Sequence, residues 1–497
     1  MPDMNFEWNP TKFSVLGVEF TNDLVNIADK NIERKLGEMQ RDINSWSKRD
    51  LTPFGRVTVI KSLIISKIVH ILISLPSPSE KMYKQLNKML FEFLWDGKPD
   101  KIKRKDAKLP LENGGLGMID IELFDKALKL TWIRRLLKGD AKWKTLILSL
   151  CPKLNEFTFY GNKLLFDMKK EFDNAFWSDV ISYLIQFYSK FKITNIEEMK
   201  ATSFQLNNHF KIGNSSINNN VLKACNIFFI NQLMDNNSFL SHDQFINKYN
   251  NNVDFLTYHS IIRCIKTVSD YDNLEEADTK FKYQPPIDTI LKHKKGASLI
   301  YKAFFDFTND SKGREKWKGI VDITDDEWTA SFIFLKNSTK DSKLRWIQFR
   351  VLHAILTTNR SVAKFKENQT DRCTFCNSQS ETIFHLLWDC PIVKEFWLKL
   401  FQIISNRCKH AERIIVNEKL AIFGQSEYIF TDNTLDKIIL LAKLYIYRCK
   451  VQSQTLNIKN FLGDIYKRYC IEKVTFNNSV TFKNKWEFYL DLFKSLL

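Results

Sequence analysis

At 497 residues the chain is too long for one core, and roughly 150 residues per domain predicts about three. Hydrophobic content of 44% and charged content of 26% are those of a folded globular chain and exclude a disordered one. A net charge of +17 makes an anionic partner the expectation, nucleic acid ahead of an anionic membrane. The longest apolar stretch, Leu63 to Leu75, is broken by Lys67 and His70, so no transmembrane helix is predicted. Asp3, Glu7 and Asn9 interrupt any signal-peptide core, so secretion is not expected.

Phe13 to Phe20, FSVLGVEF, reads as a strand or hairpin arm. Ile32, Leu36, Met39, Ile43 and Trp46 recur at steps of four and three and predict a helix over 31–47 with one buried face. Thr52 and Pro53 form an N-cap and first-turn signal. The run after them is apolar nearly all round until Pro76 and predicts one long buried helix. A third helix starts at Ser79 and Glu80 and ends at Trp95, Asp96 and Gly97.

Lys98, Lys101, Lys103, Arg104, Lys105 and Lys108 then crowd a segment too poor in apolar residues for a core element, which predicts an exposed basic loop. Such a loop serves either as plain solvated surface or as a nucleic-acid contact. Gly114, Gly115 and Gly117 mark a backbone turn without the lysine of a phosphate-binding loop. Asp120 caps a helix running through Leu137.

Between about 142 and 340 helical patterns (176–191, 221–233, 255–268, 297–307) alternate with asparagine-rich joints. Asp325 and Asp326, the paired aspartates of DITDDEW, read as the acidic first turn of a helix rather than a metal site. LRWIQFRVLHAILTTNRSV predicts one amphipathic helix, with His353 as a core histidine.

Cys373, Cys376, His385 and Cys390 follow with the spacing C-x2-C-x8-H-x4-C. Thiolate and imidazole in this pattern suit tetrahedral zinc, the first pair forming a knuckle and the second projecting from one short helix. Four protein ligands leave no open position, so the site predicts one structural Zn²⁺ and no water activation. The other cysteines follow no scaffold spacing and fit a reducing compartment, nucleus or cytoplasm. Helical patterns at 392–404, 435–449, 458–469 and 486–496 complete the chain. The fold class predicted is mostly α, in several helical domains, with a small β element at the N-terminus. A small zinc-binding domain, held by three cysteines and one histidine, lies near the C-terminus.

These motifs resemble, in order, the part of a LINE-type (non-LTR) retrotransposon reverse transcriptase that follows the catalytic palm. VLGVEF looks like the strand pair closing the palm, and LTPFGRVTVIKSLIISKIVHILISLPSP, FEFLWDG, LPLENGGLGMIDI and ALKLTWIRR resemble the thumb and basic connector. LRWIQFRVLHAILTTNRSV with RCTFC and SETIFHLLWDCPIVKEFW looks like the family's zinc-binding domain. The resemblance implies a thumb-like domain over 1–140, a helical linker over 141–340, the zinc-binding domain over 341–405 and a helical end over 406–497. It also implies that Arg56 and Lys61 meet phosphates beside Gly55. Arg360, Lys364, Lys366 and Arg372 would contact element RNA or target DNA. The palm's paired aspartates should precede this region, whereas Asp325 and Asp326 lie far after it. The expectation is therefore a C-terminal piece that binds RNA or DNA and does not polymerise. The rival expectation is a zinc-stapled interaction scaffold whose basic surface only maintains solubility.

Overall fold

The computed structural model describes residues 12–138, 141–190, 193, 195–274, 297–305, 312–367, 369–405, 415–424 and 433–476. The helical pattern at 486–496 lies outside them. The fold is mostly α, and its only strand pairs among the described residues are three two-stranded hairpins. The first joins β1 (Lys12–Val15) to β2 (Val18–Thr21), with Phe13 opposite Phe20 and both turn residues, Leu16 and Gly17, at positive φ. Primed turns of this kind match the twist of antiparallel strands.

Contacts group the chain into two compact units. One comprises Met1–Asp42, Leu63–Met89 and Asp120–Asp306; the other comprises Ile43–Ser62, Leu90–Ile119 and Phe307–Leu497. Each is drawn from three stretches of sequence, a grouping that periodicity along the chain cannot display.

In the first unit, α1 (Ile27–Ser47) buries Ile32 and Met39 as its spacing predicts. Helix α3 (Val69–Ser74) packs on α6 (Ile121–Lys138), where Asp125 and Lys129, both fully buried, pair at 2.6 Å one turn apart. Lys129 also donates to the Leu72 carbonyl, and Asp125 accepts from Tyr83 and Ser77, so neither charge of this pair is left unpartnered. Helices α7 (Asn162–Glu171) and α8 (Ala175–Ser189) pack on each other, and α8, which fulfils the pattern over 176–191, also packs on α6. Residues 199–265 close a second core around Phe204, Phe210, Phe245 and Tyr258. The expected helix over 221–233 is instead a short helix, Asn220–Ala224, and a 3₁₀ turn, Ile230–Leu233. Asn226, at φ +57, breaks the path between them.

The second unit contains α2 (Pro53–Val59), α5 (Arg104–Lys108), α9 (Asp325–Asn337), α10 (Ser342–Leu352), α11 (Asn359–Ala363), α12 (Pro391–Ser405), α13 (Glu418–Phe423) and α14 (Asn433–Val451). Thr52 caps α2 as expected, its hydroxyl accepting from Gly55 N. The long helix predicted after it is not regular: a π turn (Ile60–Ile64) and a 3₁₀ turn (Ile65–Lys67) follow. An apolar run with no polar stripe sets no single helical phase, and Ile60, Ile64 and Ile65 are each buried along these turns. The basic loop also departs from expectation, since 104–108 form one helical turn that buries Asp106 and Ala107 beneath exposed cations. Gly115 is obligatory in the turn that follows, because a Cβ there would fall 1.9 Å from the Leu109 carbonyl oxygen.

Asp325 and Asp326 open α9, which is closed by a capping box between Thr324 and Glu327, so the paired aspartates sit in a helical first turn. The single helix expected over LRWIQFRVLHAILTTNRSV is two, α10 and α11, separated where Ala354 takes φ +52 and Thr358 recaps the chain.

Candidate metal centre

The knuckle is built by local hydrogen bonds. Cys373 N donates to the Gln379 carbonyl, Asn377 N donates to the Cys373 carbonyl, and Asn377 turns the tip at φ +54. An isolated bridge pairs Arg372 with Ser380. Phe375 N and the Ser378 hydroxyl point at Cys373 Sγ and Cys376 Sγ, at 3.4 and 3.1 Å.

The second ligand pair is carried by a π turn, His385–Asp389, rather than by the α-helix expected. Cys390 N donates to the His385 carbonyl, a five-residue closure. On an α-helix residues five apart diverge by roughly 140°. The wider turn brings His385 and Cys390 to one side. Buried Leu386, Leu387 and Trp388 anchor this turn, and Trp397 Nε1 of α12 donates to the Leu387 carbonyl at 2.8 Å.

The four ligand atoms lie within 4.8 Å of one another. Cys373 Sγ and Cys390 Sγ are 3.9 Å apart, and Cys376 Sγ and His385 Nε2 are 3.3 Å apart. A zinc tetrahedron with Zn–S near 2.3 Å has edges of about 3.8 Å, so the cluster fits one Zn²⁺. With protons in place of metal, burial opposes ionisation of Cys376. The Ser378 hydroxyl, the N–H groups of Gln379 and Ser378, and His385 outweigh it and bring the thiol to about 5. The hydrogen bond between Cys373 and Cys390 pushes the first up and the second down. Thiolate character is thus prepared where a cation binds.

Two carboxylates that spacing rules did not single out support the ligands. Asp389 Oδ2 faces His385 Nδ1, which leaves Nε2 for the metal. Glu381, fully buried, accepts from Thr374 N, Thr374 Oγ1 and Asn359 N at 2.8 to 2.9 Å, with Lys450 Nζ at 3.6 Å. It ties the knuckle to α11 and α14. A carboxylate four residues after a ligand histidine was a readable signal for Asp389; nothing local marks Glu381.

His353 is buried, its Nε2 2.8 Å from the Gly114 carbonyl oxygen, and it takes no part in the cluster. Arg360, Lys364, Lys366 and Arg372 are exposed beside the knuckle, and Phe365, 89% exposed, stands between two of them. Lys98, Lys101, Lys103, Arg104 and Lys105 are exposed, whereas Lys108 is half-buried. Lys101 Nζ lies 5.8 Å over the Trp346 ring, and Arg104 pairs with Asp100 at 2.7 Å. Lys61 is exposed on the π turn after α2. Arg56 overturns its expected role. It is 5% exposed and donates to the Phe93 carbonyl at 2.8 Å and to Asp96 at 2.7 Å, so its guanidinium is spent on holding α2 to the end of α4 (Glu80–Leu94).

A helical body closed around three cysteines and one histidine defines a structural zinc-binding domain. Residues 314–397 match the family described as zinc-binding in reverse transcriptase, a span that includes α9 as well as the ligands. The chain is also 29% identical over 146 residues to the Transposon TX1 uncharacterized 149 kDa protein of Xenopus laevis. That stretch is 29% of this chain and 11% of the relative. The chain thus carries a C-terminal region of the retrotransposon reverse-transcriptase kind, with its zinc-binding domain. Among the described residues no helix is long and apolar enough to cross a membrane.

Proposed function

We propose that this region is a nucleic-acid-holding part of a retrotransposon reverse transcriptase. It binds element RNA or the target DNA and primer-template during target-primed reverse transcription, and it does not itself transfer phosphoryl groups. The observation that carries the reading is the zinc cluster of the reverse-transcriptase type with Arg360, Lys364, Lys366 and Arg372 exposed around it. The exposed cations of 98–105 and the net charge of +17 add to it. The zinc fixes the shape of the surface and performs no chemistry, because four protein ligands fill a tetrahedron. Asp325 and Asp326, in a helical first turn, do not supply the paired carboxylates of a two-metal polymerase site.

Salt titration tests the reading. Phosphate neutralisation releases counterions, so affinity for structured RNA or nicked duplex should fall about a thousandfold between 50 and 200 mM salt if some six phosphates are contacted. Replacing Lys101, Lys103, Arg104 and Lys105 with glutamate should weaken RNA and DNA alike, since phosphate contacts carry no base information. No detectable binding at low salt would leave the domain as a zinc-stapled protein scaffold.

A further inference from the structure

Within the second unit, a groove of about 470 Å³ runs between α2 and the start of α10. Lys61, Lys340 and Arg345 line it, and no carboxylate does. Lys61 and Lys340 have no acidic partner among the described residues, and partial desolvation lowers the pKa of Lys61. Arg345 is held by the Thr339 and Lys336 carbonyls, at 2.7 and 2.9 Å, which orient its guanidinium without neutralising it. Three cations facing one hollow repel one another, and an anion between them relieves that repulsion.

The remaining lining narrows the ligand class. Phe54, Val57, Leu111 and Leu116 give an apolar floor. Thr58 and Ser62 donate their hydroxyl protons along their own helical path, to the Phe54 and Thr58 carbonyls, so Ser342 is the hydroxyl open to a ligand. Gly117 leaves the approach to Lys61 clear, since even a Cβ there would lie 3.8 Å from Nζ. No Asn, Gln, Asp or Glu, the side chains that read base edges in pairs, faces the hollow. Its volume lies in the range of about 300 to 1,000 Å³ typical of small-ligand sites.

We infer that this groove seats one sugar-phosphate unit of a polynucleotide strand without regard to sequence, the phosphate between Lys61, Lys340 and Arg345 and the ribose on the apolar floor. The inference rests on the nucleic-acid reading and gives it a second contact surface besides the cations around the zinc knuckle.

The test uses the full chain with zinc bound and a fluorescent 20-nucleotide single-stranded RNA, comparing wild type with Lys61→Met/Lys340→Met and with Lys61→Arg/Lys340→Arg. The methionine pair should bind about tenfold more weakly at 100 mM salt. Its log-log salt slope should be shallower by about 0.7, the value for one lost phosphate contact on a single strand. The arginine pair should restore both quantities. Circular dichroism of all three should coincide. Ser342→Asp, which places a carboxylate in the hollow while leaving both lysines, should give the same weakening and guards against a folding defect in the paired variant. Wild-type binding with unchanged affinity and slope in the methionine pair overturns the groove alone. Failure of the wild type to bind any polynucleotide overturns the function proposed above. If a mononucleotide protects the groove but polymer binding ignores the variants, the seat is one for free nucleotides and the inference is wrong.

Discussion

His385 Nδ1 lies 3.2 Å from Asp389 Oδ2, four residues on in the same π turn, while its Nε2 faces Cys376 Sγ at 3.3 Å. The carboxylate therefore fixes which nitrogen is offered to zinc. Loss of such a partner costs metal affinity about 10- to 100-fold. Asp389→Ala should lower zinc affinity by that factor, measured by competition with a chromophoric chelator, while the ligand count stays at four. Unchanged affinity would show the Asp389 contact to be incidental.

Glu381 should matter to stability more than to coordination. Its removal strands Thr374 N, Asn359 N and the Lys450 ammonium in a buried setting. Glu381→Ala is expected to cost roughly 3 kcal/mol, the scale for breaking a buried charged network. Urea denaturation of zinc-loaded protein would show it as a lower midpoint with an unchanged slope.

The zinc ligands were legible because sulfur and imidazole at fixed spacing are a chemical signature that needs no tertiary context. The cap at Thr52 and the acidic first turn at Asp325 were legible for the same local reason. Arg56 was not. A basic residue on a helix start reads as solvent-facing, and only the fold brings the Phe93 carbonyl and Asp96 to it. The π turns at 60–64 and 385–389 were equally hidden, since periodicity counts residues at 3.6 per turn and cannot register one extra. Glu381 carried no local signal because its four partners come from 359, 374 and 450.

Arg56 and Lys61, five residues apart, should behave oppositely. Arg56→Met should destabilise the protein by about 2 kcal/mol, mainly through the buried Phe93 carbonyl it strands. Its salt slope for RNA should not change. A shallower slope with unaltered stability would return Arg56 to the phosphate-contacting set.

His353 sets an acid limit on stability. Burial holds its imidazole down to about 4, against the Gly114 carbonyl that favours the charged form. In the unfolded chain the value is about 6.5, so between the two the unfolded state binds a proton that the folded state does not. Stability is unaffected above pH 6.5 and is lost as pH falls below it, by about 2 kcal/mol on reaching pH 5. His353→Gln should lack this loss. Urea midpoints for wild type and variant at pH 7.5 and 5, taken as differences so that zinc release cancels, would check it.

Zinc stoichiometry tests the account most directly, because the surface that carries Arg360, Lys364, Lys366 and Arg372 is shaped by one ion. A closed site binds with an apparent energy of about 10 to 16 kcal/mol in small fingers, and the knuckle has few apolar residues to replace it. Elemental analysis of protein purified under reducing conditions with zinc supplied should give one zinc per chain. Cys376→Ser or His385→Ala should reduce this and open 372–380 to protease, while Leu386 and Leu387 keep the π turn docked on its core. A stoichiometry near zero in the wild type, or protease resistance of the knuckle indifferent to chelator, would contradict the assignment.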